Sequence, residues 1–305
     1  MAAWCLLPDL DPAMLARFQA ELQSYAQQYP DGPVQMTGLQ GADPTQVIRA
    51  QLTPHAGSLD RAAELVRAGK LPLGALAAAA SQPYASMLIE QSCGPLYAVS
   101  ADHDVLAREL AAATATINGE VVAEASTLAV ITLLPERAPT LLSAFTAVRL
   151  PRPALADIEV AWSELTRAPG SSYAVSYDPE HDVLVSQVIS LTEHQQLYRR
   201  ITEIDKIART LVLTDLAETA SPPDGHQAWL AAVDLAAKQK LPLWSDDVAI
   251  RSIAAGKGIA TFGTWAMLTA LIEADLIPDT RTADALALAS EGVIKLPTDN
   301  REGSA

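Results

Sequence analysis

The chain has 305 residues, which is enough for one large or two ordinary domains that each bury a core. Half of the residues are hydrophobic and 19% are charged, so the composition is that of a globular protein and excludes a disordered chain. The formal net charge of −15 argues against nonspecific coating of nucleic acid and against an anionic membrane surface.

The location of the protein is predicted from what its sequence lacks. The two cysteines, Cys5 and Cys93, fit a reduced protein without a disulfide framework. No basic segment precedes an apolar run at the N-terminus, and stretches such as Leu71–Ala80 are too short to span a bilayer. We therefore expect a cytoplasmic protein that does not insert into a membrane, and we leave an oligomer open.

The first part of the chain, residues 1–117, is predicted to contain helices only. Apolar residues recur at three- and four-residue spacing in Asp11–Gln28, Leu59–Ala68 and Asp102–Thr114. Prolines and glycines, such as Pro30 and Gly32, separate these segments. We expect this helical N-terminal region to dock onto the rest of the chain, or to bind a regulatory protein partner.

The second part, residues 118–295, alternates predicted strands and helices. The strands are predicted at Glu120–Ala125, Ala147–Leu150, Leu241–Ser245 and Ile259–Phe262. The helices are predicted from Ser126 onward and at Pro153–Arg167, Leu191–Leu216, Asp224–Gln239, Asp247–Ala255 and Thr264–Ala274. This alternation is typical of a parallel sheet covered by helices on both faces, which is an α/β fold.

Two further segments complete the predicted organisation. Alternating apolar residues in 171–190, interrupted by Asp178–Asp182, predict a hairpin inserted into the α/β pattern. It is either a flap over a substrate groove or a passive loop. Residues 296–305 are predicted to form a disordered tail.

Polar side chains follow each predicted strand. Glu124 ends the first strand, and Asp157 lies in the helix after the second. Asp246 and Asp247 follow the third strand, and Thr264 follows the fourth. Ligands of parallel α/β sheets bind beyond the carboxyl ends of the strands, so these side chains mark a candidate site.

Crowded carboxylates suit a divalent cation. Mg²⁺ and Mn²⁺ prefer oxygen ligands, and carboxylates placed together without a cation raise one another's pKa. A bound cation polarises a phosphodiester and generates hydroxide from water.

The order of these motifs resembles that of PIN domains. Val121–Leu128 is similar to the family's first strand and turn, and Leu150–Asp157 to the segment that ends in its second acidic residue. Leu243–Arg251 is similar to its third acidic motif, and Phe262–Leu268 to its last strand–helix junction. The resemblance implies a PIN-like three-layer α/β/α domain preceded by the helical region.

The resemblance also implies a function, a metal-dependent endoribonuclease that acts on RNA. Glu124, Asp157 and Asp246 or Asp247 would be Mg²⁺ or Mn²⁺ ligands, with Thr264 as a supporting hydroxyl. The first acid is usually Asp in the family and the second is usually Glu, so the two are exchanged here. The RNA backbone would contact basic residues, for which the candidates are Arg199, Arg200, Lys206 and Arg251.

Three alternatives stay open from the sequence. The exchanged acids and the acidic surface also fit a catalytically inactive PIN-like module for protein interaction. The helical region is alternatively a peptide-binding scaffold. Each acid also has a structural explanation, since Asp246 fits a helix cap and Asp157 fits the first turn of a helix.

Overall fold

The structure is a computed structural model that describes residues 2–3, 20, 24, 27–28, 46, 58–90, 99, 102–167, 172–178, 181, 183–216 and 225–290. The predicted helix Asp11–Gln28 lies largely outside the described residues, although residues 20, 24, 27 and 28 are helical. The predicted tail, 296–305, lies outside them as well. The chain divides into two compact units, of which one combines Met1–Ser58 with Ser171–Ser190 and the other combines Leu59–Gly170 with Leu191–Ala305.

The first unit contains a three-stranded antiparallel sheet. Its strands are β1 (Ala2–Ala3), β4 (Ser172–Asp178) and β5 (Val183–Ile189). Strands β4 and β5 pair along their whole length, from Ser172 opposite Ile189 to Asp178 opposite Val183. The predicted hairpin is therefore present. The additional strand β1 pairs with β4 and had no signal in the helical pattern of residues 1–117.

The second unit is built on a parallel sheet of five strands. In chain order these are β2 (Glu120–Ala123), β3 (Ala147–Pro151), β6 (Val212–Thr214), β7 (Leu243–Trp244) and β8 (Thr261–Phe262). Their order across the sheet is β6-β3-β2-β7-β8. All four pairs of neighbouring strands are parallel, which requires a crossover between each strand and the next. The predicted α/β class with a central parallel sheet is confirmed.

Twelve described helices accompany these strands in the second unit. They are α1 (58–67), α2 (Leu73–Ala79), α3 (Tyr84–Glu90), α4 (His103–Thr116), α5 (Ala125–Ile131), α6 (Ala138–Ser143), α7 (Arg152–Arg167), α8 (Leu191–Ala208), α9 (Ala231–Gln239), α10 (Val248–Gly256), α11 (Thr264–Glu273) and α12 (Arg281–Ser290). A 3₁₀ turn, Gly225–Leu230, precedes α9. None of the helices in the described part of the chain is long and apolar enough to cross a bilayer.

Two predicted helices differ from the structure in their length or type. The helix predicted over Leu191–Leu216 ends at Ala208, and Val212–Thr214 forms the edge strand β6 beside β3. Apolar residues continue at helical spacing through Leu211, so the sequence pattern did not indicate that the helix ends at Ala208. The helix predicted over Asp224–Gln239 likewise begins as the 3₁₀ turn and becomes α-helical at Ala231.

The core of the second unit lies around the central strands. Val121, Val122 and Ala123 of β2 are completely buried, as expected for a strand with helices on both faces. Aromatic residues pack nearby, with the rings of Phe145 and Trp244 5.3 Å apart. The strands themselves are apolar and buried, and polar side chains follow them at their carboxyl ends.

Candidate functional site at the carboxyl edge of the sheet

Glu124 is the central residue of the candidate site. It follows β2 and caps α5, because its Oε2 accepts a hydrogen bond of 3.0 Å from the backbone N–H of Ser126. The same oxygen accepts from the hydroxyls of Ser126 and Ser245, the latter at 3.1 Å. The other oxygen, Oε1, is buried and has no hydrogen-bond partner. A buried carboxylate oxygen without a donor is costly, so this oxygen is the part of Glu124 that a nearby donor or a ligand would satisfy.

The environment of Glu124 disfavours its charge. Only 1% of the residue is exposed, and burial raises the pKa of its carboxyl group to about 7. The neighbouring negative charge of Asp247 raises this pKa further, while hydrogen bonds from Ser126 and Ser245 oppose the rise. A positive ion at this position would reverse the balance and keep the carboxylate ionised.

Asp246 is held by the beginning of α11. Its Oδ1 accepts from the backbone N–H of Thr264 at 2.7 Å, and its Oδ2 accepts from the Thr264 hydroxyl. That hydroxyl also accepts from the indole N–H of Trp244 at 3.1 Å. Burial raises the pKa of Asp246 to about 6, against the opposing effects of Thr264 and Arg251. Thr264 therefore supports Asp246, and Asp246 does not cap α10.

Asp247 is the residue that caps α10. Its Oδ1 accepts from the backbone N–H groups of Ala249 and Ile250 at 2.8 and 3.3 Å. Its Oδ2 accepts from the backbone N–H of Leu73, the first residue of α2, at 2.9 Å. Burial raises its pKa, and these amide donors lower it. Both of its oxygens are thus bonded to the first turns of helices.

Asp157 contributes to a different contact. Its Oδ1 accepts from the backbone N–H of Tyr84 at 3.0 Å, and its Oδ2 accepts from that of Ala85 at 2.7 Å. These are the first two residues of α3. Asp157 therefore binds the N-terminus of α3. The backbone N–H groups of Asp246 and Asp247 donate to the hydroxyls of Ser126 and Ser245, and both hydroxyls donate to Glu124.

Arg251 does not face solvent, and its predicted role in contacting an RNA backbone was wrong. The residue is 2% exposed, and its Nε donates to Glu109 Oε1 of α4 at 2.8 Å. Its guanidinium also donates to the carbonyl of Ser245 at 2.7 Å. Of the other candidates, Arg199 and Lys206 are exposed, and Lys206 is paired with Glu203.

The chemistry of the site fits a hard divalent cation, but its present arrangement does not. The donors are carboxylate and hydroxyl oxygens, and one oxygen of Glu124 is unused. However, within the residues that the structure describes, no group of three or more Asp, Glu, His or Cys side chains is arranged to hold a metal ion. In this structure the oxygens of Asp157 and Asp247 accept from backbone amides at the first turns of α2 and α3.

The sequence patterns did not indicate the groups that complete this site. Tyr84 is buried, and its hydroxyl lies near Glu124 and Ser126 without a hydrogen bond of ordinary geometry. Burial raises the pKa of Tyr84, and the charge of Glu124 raises it further. Backbone donors such as Leu73 carry no signature in a sequence. The one local signal in the sequence was a serine two positions from an acid, in Glu124–Ser126 and in Ser245–Asp247.

A parallel sheet with helices around it and buried acids at its carboxyl edge is the architecture of an α/β domain. Comparison with family models assigns the segment more closely. Residues 122–256 match a family described as the PIN domain associated with the TPR-GreAB-C-PIN system. The predicted resemblance of the C-terminal part to PIN domains, and the PIN-like α/β/α fold, are confirmed. No curated protein and no solved structure matches the chain.

Proposed function

We propose that the chain is a PIN-type endoribonuclease whose divalent cation, Mg²⁺ or Mn²⁺, is held at the carboxyl edge of the sheet. The observation that carries this proposal is the unpartnered Oε1 of Glu124, buried beside Asp247 in a segment that matches a PIN family. Asp246 and Asp247 would complete the ligand set, and Asp157 would join it once its oxygens are released from α3. Thr264 would hold Asp246 in place.

The residues of the chain would have distinct roles in the proposed reaction. Ser126 and Ser245 orient Glu124 by donating to Oε2, which leaves Oε1 to face the ligand. Thr264 fixes both oxygens of Asp246. When bound, the cation would lower the pKa of water and neutralise charge on the phosphodiester. The exposed Arg199 is the strongest remaining candidate for RNA backbone contact.

The test compares matched variants of the full chain. A fluorescent single-stranded RNA is incubated with Mn²⁺ and either the parent protein, Glu124→Gln or Glu120→Gln. Glu120 lies at the opposite end of β2 and pairs with Arg149, so it receives the same substitution away from the site. Cleavage that depends on Mn²⁺ and is lost only in Glu124→Gln supports the nuclease. Equal cleavage by both variants excludes Glu124 from the reaction.

A second candidate function rests on the amide contacts of the acids. Asp157 and Asp247 both hold the first turns of helices, which is a structural role. An inactive PIN-like module for protein interaction would use them in this way permanently, and the family's association with a TPR and GreAB-C system fits protein partners. Under this alternative, neither the parent protein nor any variant that loosens α2 or α3 binds Mn²⁺ or cleaves RNA.

A further inference from the structure

Two buried polar atoms of the candidate site face the same problem. Among the residues that the structure describes, neither the hydroxyl of Tyr84 nor Oε1 of Glu124 has a hydrogen-bond partner of ordinary geometry. Tyr84 is 3% exposed and Glu124 is 1% exposed, so water does not reach them freely. The two side chains are close enough for Glu124 to act on the pKa of Tyr84 through its charge and a hydrogen bond. One atom is a donor and the other is an acceptor, and leaving both unpaired is costly.

The acceptor capacity of Glu124 decides which of its oxygens can take a further donor. Its Oε2 already accepts from the backbone N–H and the hydroxyl of Ser126 and from the hydroxyl of Ser245. A carboxylate offers about four lone pairs, divided between its two oxygens. Oε2 is therefore fully used, and a further donor has to bind Oε1.

The hydroxyl of Ser126 is the other acceptor beside Tyr84. Its proton is given to Glu124, and its oxygen already accepts from the backbone N–H of Asp246 at 2.9 Å. It is also a neutral acceptor, and hydrogen bonds to an ionised carboxylate are roughly twice as strong as those between neutral groups. Glu124 is therefore the better partner for Tyr84.

We infer that Tyr84 is a positioning residue of the site, whose hydroxyl donates to Oε1 of Glu124 and fixes the plane of the carboxylate. Its role in a reaction rests on the proposed function, whereas the hydrogen bond itself does not. Oε1 keeps a second lone pair for a ligand. Because Tyr84 lies in α3, outside the matched residues 122–256, the helical region contributes a side chain to the site.

The hydroxyl of Tyr84 can be removed without changing the contacts of its backbone. Tyr84 begins α3, and its backbone N–H donates to Asp157 Oδ1 at 3.0 Å. Tyr84→Phe keeps this N–H and the buried ring, and it deletes only the donor that faces Glu124. Tyr198→Phe is the matched control, because it removes the same atom from a residue of α8 that is 37% exposed.

Ultraviolet resonance Raman spectroscopy at pH 8 with EDTA tests the hydrogen bond. The intensity ratio of the tyrosine Fermi doublet reports whether a hydroxyl donates or accepts. Subtracting the spectrum of Tyr84→Phe isolates Tyr84 from the other six of the seven tyrosines. We expect the ratio of a strong donor in the parent protein.

Glu124→Gln should convert Tyr84 from a donor into an acceptor. The three donors at Oε2 require an oxygen there, so the amide NH₂ takes the position of Oε1 and donates to Tyr84. Glu120→Gln carries the same substitution away from the site and should leave the ratio unchanged. A ratio that stays the same in Glu124→Gln would overturn the inference. The direct difference between the parent protein and Glu124→Gln gives this answer even if Tyr84→Phe does not fold.

Unfolding and cleavage measure what the hydrogen bond contributes. Tyr84→Phe should lower the equilibrium constant for folding at pH 8 about tenfold or more relative to Tyr198→Phe, as measured in urea. It should also lower kcat for Mn²⁺-dependent RNA cleavage about tenfold with KM unchanged, because Tyr84 acts through Glu124. Equal kcat in Tyr84→Phe and Tyr198→Phe would overturn the role of Tyr84 in the reaction. A parent protein that does not cleave RNA would overturn the proposed function, while the Raman ratio would still decide the hydrogen bond.

Discussion

Replacing Glu124 by glutamine should stabilise the protein above neutral pH. The substitution keeps the shape of the side chain, and the remaining carbonyl oxygen can accept from Ser126 and Ser245 as Oε2 does now. The new amide group takes the place of the unpartnered Oε1 and can donate to the hydroxyl of Tyr84 nearby. What is lost is a buried charge, which is destabilising when no ligand is bound.

The magnitude follows from the pKa of Glu124. Burial raises it from 4.5 to about 7, so the folded state binds more protons than the unfolded state between these values. The stability contributed by this proton is present below pH 4.5 and is lost as the pH rises through 7. A shift of this size corresponds to about 3 kcal/mol. The difference in free energy of unfolding between Glu124→Gln and the parent protein should therefore grow by about 3 kcal/mol between pH 4.5 and 8.

Urea unfolding in the presence of EDTA measures this difference. The free energies of unfolding of the parent protein and Glu124→Gln are compared at several pH values, so that other titrating groups cancel in the difference. The gain should grow through pH 5–7 and level off above it. A difference that does not depend on pH, or a glutamine variant that is less stable at pH 8, would refute the assignment of a raised pKa to this carboxyl group.

Three further substitutions test the packing and hydrogen bonds around the site. Arg251→Ala leaves Glu109 buried without its partner and should cost about 3–5 kcal/mol in urea unfolding. Gly74→Ala forces a Cβ against Trp229 and should cost about 1–3 kcal/mol, measured as a lower melting temperature. Thr264→Val removes a buried hydroxyl that bonds both an indole N–H and a carboxylate, and should cost about 1–3 kcal/mol in the same assay.

Gly74→Ala and Thr264→Val each have a matched control variant, and neutral results would contradict the predictions for Arg251→Ala and Gly74→Ala. Gly256→Ala introduces the same methyl group where no atom lies within 4 Å, so it should leave the melting temperature nearly unchanged. Thr264→Ser retains the hydroxyl and should recover most of the stability that valine loses. A neutral Arg251→Ala would mean that Glu109 reaches solvent or another donor, and a neutral Gly74→Ala would mean that α2 shifts freely.

The sheet was largely predictable because its short apolar strands are separated by helical patterns. The exception was β6, Val212–Thr214, where helical spacing ran on past the true end of α8. Its β-branched Val212 and Thr214 were the available signal for a strand. Tertiary pairing with β3 decides the structure there, and such pairing is invisible to local periodicity.

The candidate site was predictable in part. Glu124, Asp246 and Thr264 follow strands, and topology alone brings strand ends together. The contact between α2 and Asp247 was not predictable, because Leu73 and Asp247 are 174 positions apart and the donor is a backbone amide. The sequence suggested that the helical region docks onto the rest of the chain, but it did not indicate which residues make the contact. The contact of Asp157 with the backbone N–H of Tyr84 in α3 was not predictable for the same reason.

The most direct test of the account is a crystal structure of the full chain grown with Mn²⁺, in which anomalous scattering locates the ion. We predict a Mn²⁺ ion coordinated by Glu124 and Asp247. Crystals that show no ion at Glu124 at saturating Mn²⁺ would contradict the metal site.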